Sequence, residues 1–155
     1  MSGRAVLDAS PLISLYQIHK LELIQALFDE RLAPPAVARE IFPSLGQLPS
    51  WIRGQAPDSV PVSLQVLDTG EREAIALALQ VAANAIVLDD RAARIQAKRL
   101  GLNVVGSAGL LVLARRQELI EQVKPDLDAM ISHGLYMSEA IYLEVFQTVG
   151  EFASP

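Results

Sequence analysis

Two short apolar runs constrain this chain most: AVLD at residues 5–8 and AIVLDD at residues 85–90, each leading directly into aspartate. Consecutive apolar residues without polar alternation form the pattern of a strand buried on both faces. Further short strands are predicted at 31–33 and 103–105, and helical segments separate all four. Strands separated by helices are joined by crossovers rather than hairpins, so the sheet should be mainly parallel. The right-handed crossover rule then puts helices on both faces, giving an α/β chain in three layers, α/β/α.

Local signals fill in the order. Ser10 as N-cap with Pro11 at the first helical position opens one helix, and a second amphipathic helix covers about 20–28. Pro35 opens PAVAREIF. Residues 43–61 are rich in proline and glycine and read as a surface excursion, with a short helical piece at Trp51–Ile52. Residues 62–67, VSLQVL, alternate weakly and read as an edge strand. In DTGEREAIALALQVAAN, Asp68 and Glu71 form a capping-box pair, and beyond Glu73 the helix is apolar nearly all round, hence buried. The helix after Asp90 ends at Gly101, and Gly106–Ser107 lead into another. Two last helices, at about 118–132 and 138–149, break at His133–Gly134. A single domain over 1–155 is expected, with helices at about 118–150 packed on it or used for dimerisation.

Composition removes several chemistries. The 155 residues contain no cysteine, which excludes disulfides and thiolate metal sites. His19 and His133 lack HExxH spacing, and neither a P-loop nor a GxSxG elbow occurs. A phosphoacceptor receiver needs two acids after its first strand and a lysine after its last. A haloacid-dehalogenase-type phosphatase needs an acid where Ser10 stands. The N-terminus has no signal-like apolar stretch, and the apolar region 74–88 is interrupted by Gln80 and Asn84. A soluble, cytoplasmic protein with no membrane contact is expected. The net charge of −5 argues against a dedicated nucleic-acid-binding module, although an acidic metal site carries part of that charge.

The acids are the informative residues. In open parallel sheets, ligands bind beyond the carboxyl ends of the strands. Asp8 and the pair Asp89–Asp90 follow two such strands. Glu40 lies on the helix after the second strand, and Glu73 lies in the first turn of the helix leading into AIVL. Singly, each has a plain explanation: Glu40 as a solvated helix residue, Glu73 as a partner of the helix dipole, one of Asp89–Asp90 as a cap. Together, four acids from four segments repel one another and call for a cation. Oxygen donors without nearby His or Cys suit Mg²⁺ or Mn²⁺, which activate water and bridge phosphate oxygens. Phosphodiester hydrolysis is the chemistry that follows. Ser10 is a candidate supporting donor or substrate contact. Arg91, Arg94 and Lys98, on one side of the helix after Asp90, either meet substrate phosphates or form a solvated face.

VLDASPLISL, PAVAREI, GEREAIALAL and IVLDDRAAR, in this order and spacing, resemble the PIN-domain family, which includes VapC-like ribonuclease toxins. The tail GLYMSEAIYLEVFQTVGE is similar to a bacterial and archaeal PIN-like sub-family. The resemblance matches Asp8, Glu40, Glu73 and Asp90 to the family's acids, with Asp89 as neighbour. It implies a three-layer fold, Mg²⁺ or Mn²⁺, cleavage of single-stranded RNA, homodimers, and for many short members the toxin role in a toxin–antitoxin pair. Two positions depart from the pattern: the third acid is Glu where many members have Asp, and Leu88 replaces a Thr. The alternative is a non-catalytic PIN-like module that binds RNA or protein. Leu135, Tyr136, Met137, Tyr142 and Phe146 are either core or a contact surface for a second copy or an antitoxin.

Overall fold

The computed structural model describes residues 2–151. Five strands, β1 (Arg4–Leu7), β2 (Glu30–Ala33), β3 (Arg53–Gly54), β4 (Ala85–Val87) and β5 (Val104–Val105), form one sheet in the order β3-β2-β1-β4-β5. Every neighbouring pair is parallel. Eight helices accompany them among the described residues: α1 (Ala9–Gln17), α2 (Glu22–Leu27), α3 (Pro35–Leu45), α4 (Thr69–Gln80), α5 (Arg91–Arg99), α6 (Ser107–Arg116), α7 (Lys124–Ser132) and α8 (Glu139–Val149).

The two central strands are apolar on both sides because both sides are covered. Ala5, Leu7, Ala85 and Val87 pack into one core with α1, α2, α6, α7 and Phe146 of α8. Val6, Leu32 and Ile86, pointing the other way, pack into a second core with α4 and α5. This is the expected three-layer α/β/α arrangement. The register pairs Leu7 with Val87, and the Asp8 N–H continues the ladder by donating to the Val87 carbonyl at 3.0 Å. The ends of β1 and β4, some eighty residues apart in sequence, therefore lie side by side.

Several local expectations change. The N-cap of α1 is Asp8 rather than Ser10, and Pro11 sits in the first turn, where a missing N–H costs nothing. Helix α3 runs through Pro43, which occupies its last turn. Residues 53–54 add an edge strand to β2, so the proline-rich excursion returns to the sheet. Trp51–Ile52, read from sequence as helical, form a turn ahead of it, closed by the Ile52 N–H on the Pro49 carbonyl at 2.9 Å. The segment 62–67 is not a strand: Val62–Leu64 form a 3-10 turn. Leu64 and Leu67 are buried and Val62 and Val66 exposed, a spacing of three that fits such a turn and not a strand. Helix α7 starts at Lys124, just ahead of Pro125, and not at 118. Its first N–H groups are capped from a distance, with the Glu151 carboxylate accepting from Val123 and Lys124.

Candidate active site

Where β1 and β4 end, carboxylates gather from separate segments. Asp8 caps β1 and is buried with only 4% of its surface exposed. Glu40 comes from α3, Asp68 and Glu71 from the start of α4, and Asp89 and Asp90 from the end of β4. Their convergence is marked by Gly70. A methyl group there would lie 2.9 Å from Glu40 Oε2, 3.6 Å from Asp8 Oδ1 and 3.7 Å from Asp68 Oδ1. Glycine at the first turn of α4 thus leaves the space that three carboxylate oxygens occupy.

Crowding and burial shift the acids upward. Burial pushes the Asp8 carboxyl up to about 7; the Ala9 N–H opposes this, and the charges of Glu40, Asp68 and Asp89 add to it. Burial likewise pushes Glu71 up to about 8, helped by a hydrogen bond shared with Asp68 and by the charges of Asp68, Asp90 and Asp8. Glu40 is raised by partial desolvation and by Asp68. Asp8 Oδ1 and Glu71 Oε2 are buried and accept no hydrogen bond. Among the described residues, no lysine or arginine forms an ion pair with any of these six acids.

The remaining acids are partly committed. Asp90 caps α5, its Oδ2 accepting from the Ala93 N–H at 3.0 Å. Asp89 ties β4 to α6, with its two oxygens accepting from the Ser107 N–H at 2.7 Å and the Ser107 hydroxyl at 2.6 Å.

The structure gathers Asp8, Glu40 and the pair Asp89–Asp90 at one edge and turns the Glu73 carboxylate to the start of α3 rather than into that cluster. Glu73 Oε1 accepts from the Ala36 N–H at 3.0 Å, and Oε2 lies 3.9 Å from Arg39. The cause is local. Helix α3 opens on Pro34 and Pro35, neither of which offers a capping side chain, so Glu73 on the neighbouring helix satisfies its first free N–H. Glu71 and Asp68 face the cluster instead. Residues 71 and 73 lie about 200° apart on a helix, so one of them must turn away. The apolar pattern of α4 gave no phase, since Ala74, Ile75, Ala76, Leu77 and Ala78 are all buried. The signal that could have decided is Gly70, small next to the residue that enters the site.

A divalent ion fits this donor set: all-oxygen, acidic, with two buried oxygens lacking partners. Among the described residues, no three acids or histidines stand together in an arrangement that could hold a metal ion as they are placed. An open cleft of about 1070 Å³ leads away from Asp89 and Asp90. One face of α1 (Ser10, Ile13, Ser14, Gln17) and one face of α5 (Arg91, Arg94, Ile95, Lys98) line it, together with residues 133–138. Ser10, Arg91 and Arg94 are therefore in this cleft beside the acids, not within the cluster itself.

No helix among the described residues is long and apolar enough to cross a membrane. No curated protein matches the chain. Among solved structures, the chain is similar to a PilT N-terminus domain protein from the hyperthermophilic archaeon Sulfolobus solfataricus P2. The TM-score is 0.51 at 19% identity, over 69% of this chain and 89% of that one, a likeness of fold alone. The model of the family DUF3368, described as a PIN domain, matches residues 4–151. PIN domains are generally nucleases and commonly use divalent metal ions. The acid-lined edge of a parallel sheet and a family match over nearly the whole length agree: this chain belongs to the PIN-domain family, a nuclease-type fold.

Proposed function

We propose that the protein is an endoribonuclease that uses Mg²⁺ or Mn²⁺ to cleave single-stranded RNA. The observation that carries this reading is the pair of buried carboxylates, Asp8 and Glu71, at the carboxyl edge of the sheet, each with one buried oxygen that has no hydrogen-bond partner. Burying carboxylate oxygens with no basic side chain beside them and no partner of their own is costly unless a ligand supplies the missing positive charge.

Asp8, Glu71 and Asp90 are the proposed ion ligands, with Glu40 closing the ring and Asp68 holding Glu71. Asp89 keeps β4 and α6 in place, and Glu73 caps the start of α3 without a part in holding the ion. When bound, the ion supplies charge neutralisation and an acidified water. Glu40, an exposed member of the cluster, takes the proton of the attacking water. The water oxygen bonds to phosphorus, the bond from phosphorus to the leaving ribose oxygen breaks, and that oxygen takes up a proton from solvent while Glu40 later releases its own. Arg91, Arg94 and Lys98 in the adjoining cleft receive neighbouring phosphates, offsetting the acidity of the protein as a whole.

The test is cleavage of an end-labelled single-stranded RNA with Mn²⁺, with Mg²⁺ and with chelator. Cleavage by wild type that needs metal and disappears in Asp8→Asn and Glu71→Gln supports the assignment. Intact RNA under every condition points to the non-catalytic binding module. The toxin role, a homodimer and an antitoxin partner belong to the same proposal. Their test is expression in bacteria: wild type arrests growth and degrades RNA, whereas Asp8→Asn is harmless.

A further inference from the structure

The cleft beside the acids has an unexplained feature on its far side. Tyr136, in the link between α7 and α8, is 90% exposed, the most exposed of the large apolar side chains among the described residues. Its neighbours are not exposed: Leu135 and Met137 pack against the main core. The Leu135 N–H donates to the Met130 carbonyl at 3.0 Å, and the Gly134 N–H to the Ile131 carbonyl at 3.0 Å. Burial alternates along this link, with Leu135 and Met137 partly buried and Tyr136 between them exposed. Two inward anchors therefore hold the backbone and turn the tyrosine ring outward. The ring is presented on a fixed support rather than trailing on a loose loop.

Its place gives it a use. Tyr136 lines the cleft that holds Arg91, Arg94 and Lys98 and opens on Asp89 and Asp90, and it also lines a second, smaller hollow bounded by β5, α6 and α8. A cationic helix face opposite an exposed aromatic ring is the pairing that single-stranded nucleic acid needs: charge for the backbone, a flat apolar surface for a base. A duplex keeps its bases stacked inside and cannot use such a ring.

The geometry points to Tyr136 as a base-stacking platform that fixes a single-stranded RNA in the cleft next to the acids. This rests on the nuclease reading above for the identity of the ligand. Tyr136 is a binding and positioning residue here and does not touch the reacting phosphate.

The experiment uses the full chain and a fluorescein-labelled single-stranded RNA 12-mer of mixed sequence. Anisotropy is followed at low salt with chelator present, so that binding is read without cleavage. Tyr136→Ala should weaken binding about tenfold, from the loss of one base–aromatic stack, while Tyr136→Trp restores it. The matching RNA duplex should bind wild type and Tyr136→Ala alike. With Mn²⁺, the Ala variant should raise KM and leave kcat near wild type, and its Tm should not move. Unchanged RNA affinity in Tyr136→Ala overturns the inference. So does a change in light-scattering mass without a change in RNA affinity, which would make Tyr136 a self-association contact. The two readings fail separately. If wild type cleaves RNA and Tyr136→Ala binds it normally, only the platform is lost. If Tyr136→Ala loses binding but no metal supports cleavage, only the nuclease is lost.

Discussion

Replacing Asp8 by asparagine should stabilise the metal-free protein at mildly alkaline pH while abolishing its response to metal. Asp8 is buried, and its carboxyl is lifted from 3.8 to about 7. Between these values the folded chain holds a proton that the unfolded chain has released. Stability therefore falls as pH rises from about 4 and levels off above about 7. At about 1.4 kcal/mol per pH unit, moving from pH 5 to pH 8 costs the folded state roughly 2–3 kcal/mol through Asp8. Glu71, pushed up to about 8, acts in the same direction. Asparagine cannot ionise, so the Asp8 share of this loss disappears. Thermal melts in chelator at both pH values read the effect. Wild type should lose about 5–10 °C for that share between pH 5 and pH 8, at roughly 2–4 °C per kcal/mol. Asp8→Asn should lose clearly less and should melt above wild type at pH 8. Added Mn²⁺ reverses the order, because an ion at 100 times its Kd stabilises wild type by about 2.7 kcal/mol and has no full site in the variant. An Asp8→Asn protein that melts at or below wild type at pH 8 in chelator would refute the claim that Asp8 is held as a buried charge awaiting a cation.

Three further outcomes follow from the geometry. Glu73→Ala removes the cap of α3 and should cost about 0.5–2 kcal/mol in a denaturant melt, yet leave Mn²⁺ affinity within twofold of wild type. Gly70→Ala puts a methyl group 2.9 Å from Glu40 Oε2. That flexible side chain can swing aside, so Tm should hold within about 2 °C while Mn²⁺ affinity drops several-fold. Glu151→Ala frees the Val123 and Lys124 N–H groups and should lower stability by about 1 kcal/mol, with faster hydrogen exchange at those two amides and unchanged metal binding.

The parallel sheet was legible because its central strands are short, apolar and separated by helices. Those features leave few other ways to bury Ala5, Val6, Leu7 and residues 85–88. The edge elements were not. Arg53–Gly54 is a two-residue strand with no apolar pattern, held only by pairing to β2, and such pairing cannot be seen one segment at a time. At the site, Asp8, Asp89 and Asp90 could be placed because they follow strands directly, so the sheet fixes their direction. Glu71 and Glu73 could not be told apart in this way. They share one helix turn, and choosing between them depends on a neighbour, the proline-opened start of α3, that draws Glu73 to itself. Asp68 read as a helix cap and is one, since its Oδ1 accepts from the Glu71 N–H at 2.9 Å. Its second role, crowding Glu40 and Glu71, arises only from the tertiary fold.

Calorimetric titration of Mn²⁺ into wild type, Asp8→Asn, Glu71→Gln and Glu73→Gln bears most directly on the central proposal. Wild type should bind the ion with release of protons near neutral pH, seen as a heat that depends on the buffer, because Asp8 and Glu71 must give theirs up. Asp8→Asn and Glu71→Gln should lose most of the affinity, and Glu73→Gln should keep it. Equal binding by all four proteins, or no binding by wild type at millimolar Mn²⁺, would contradict it.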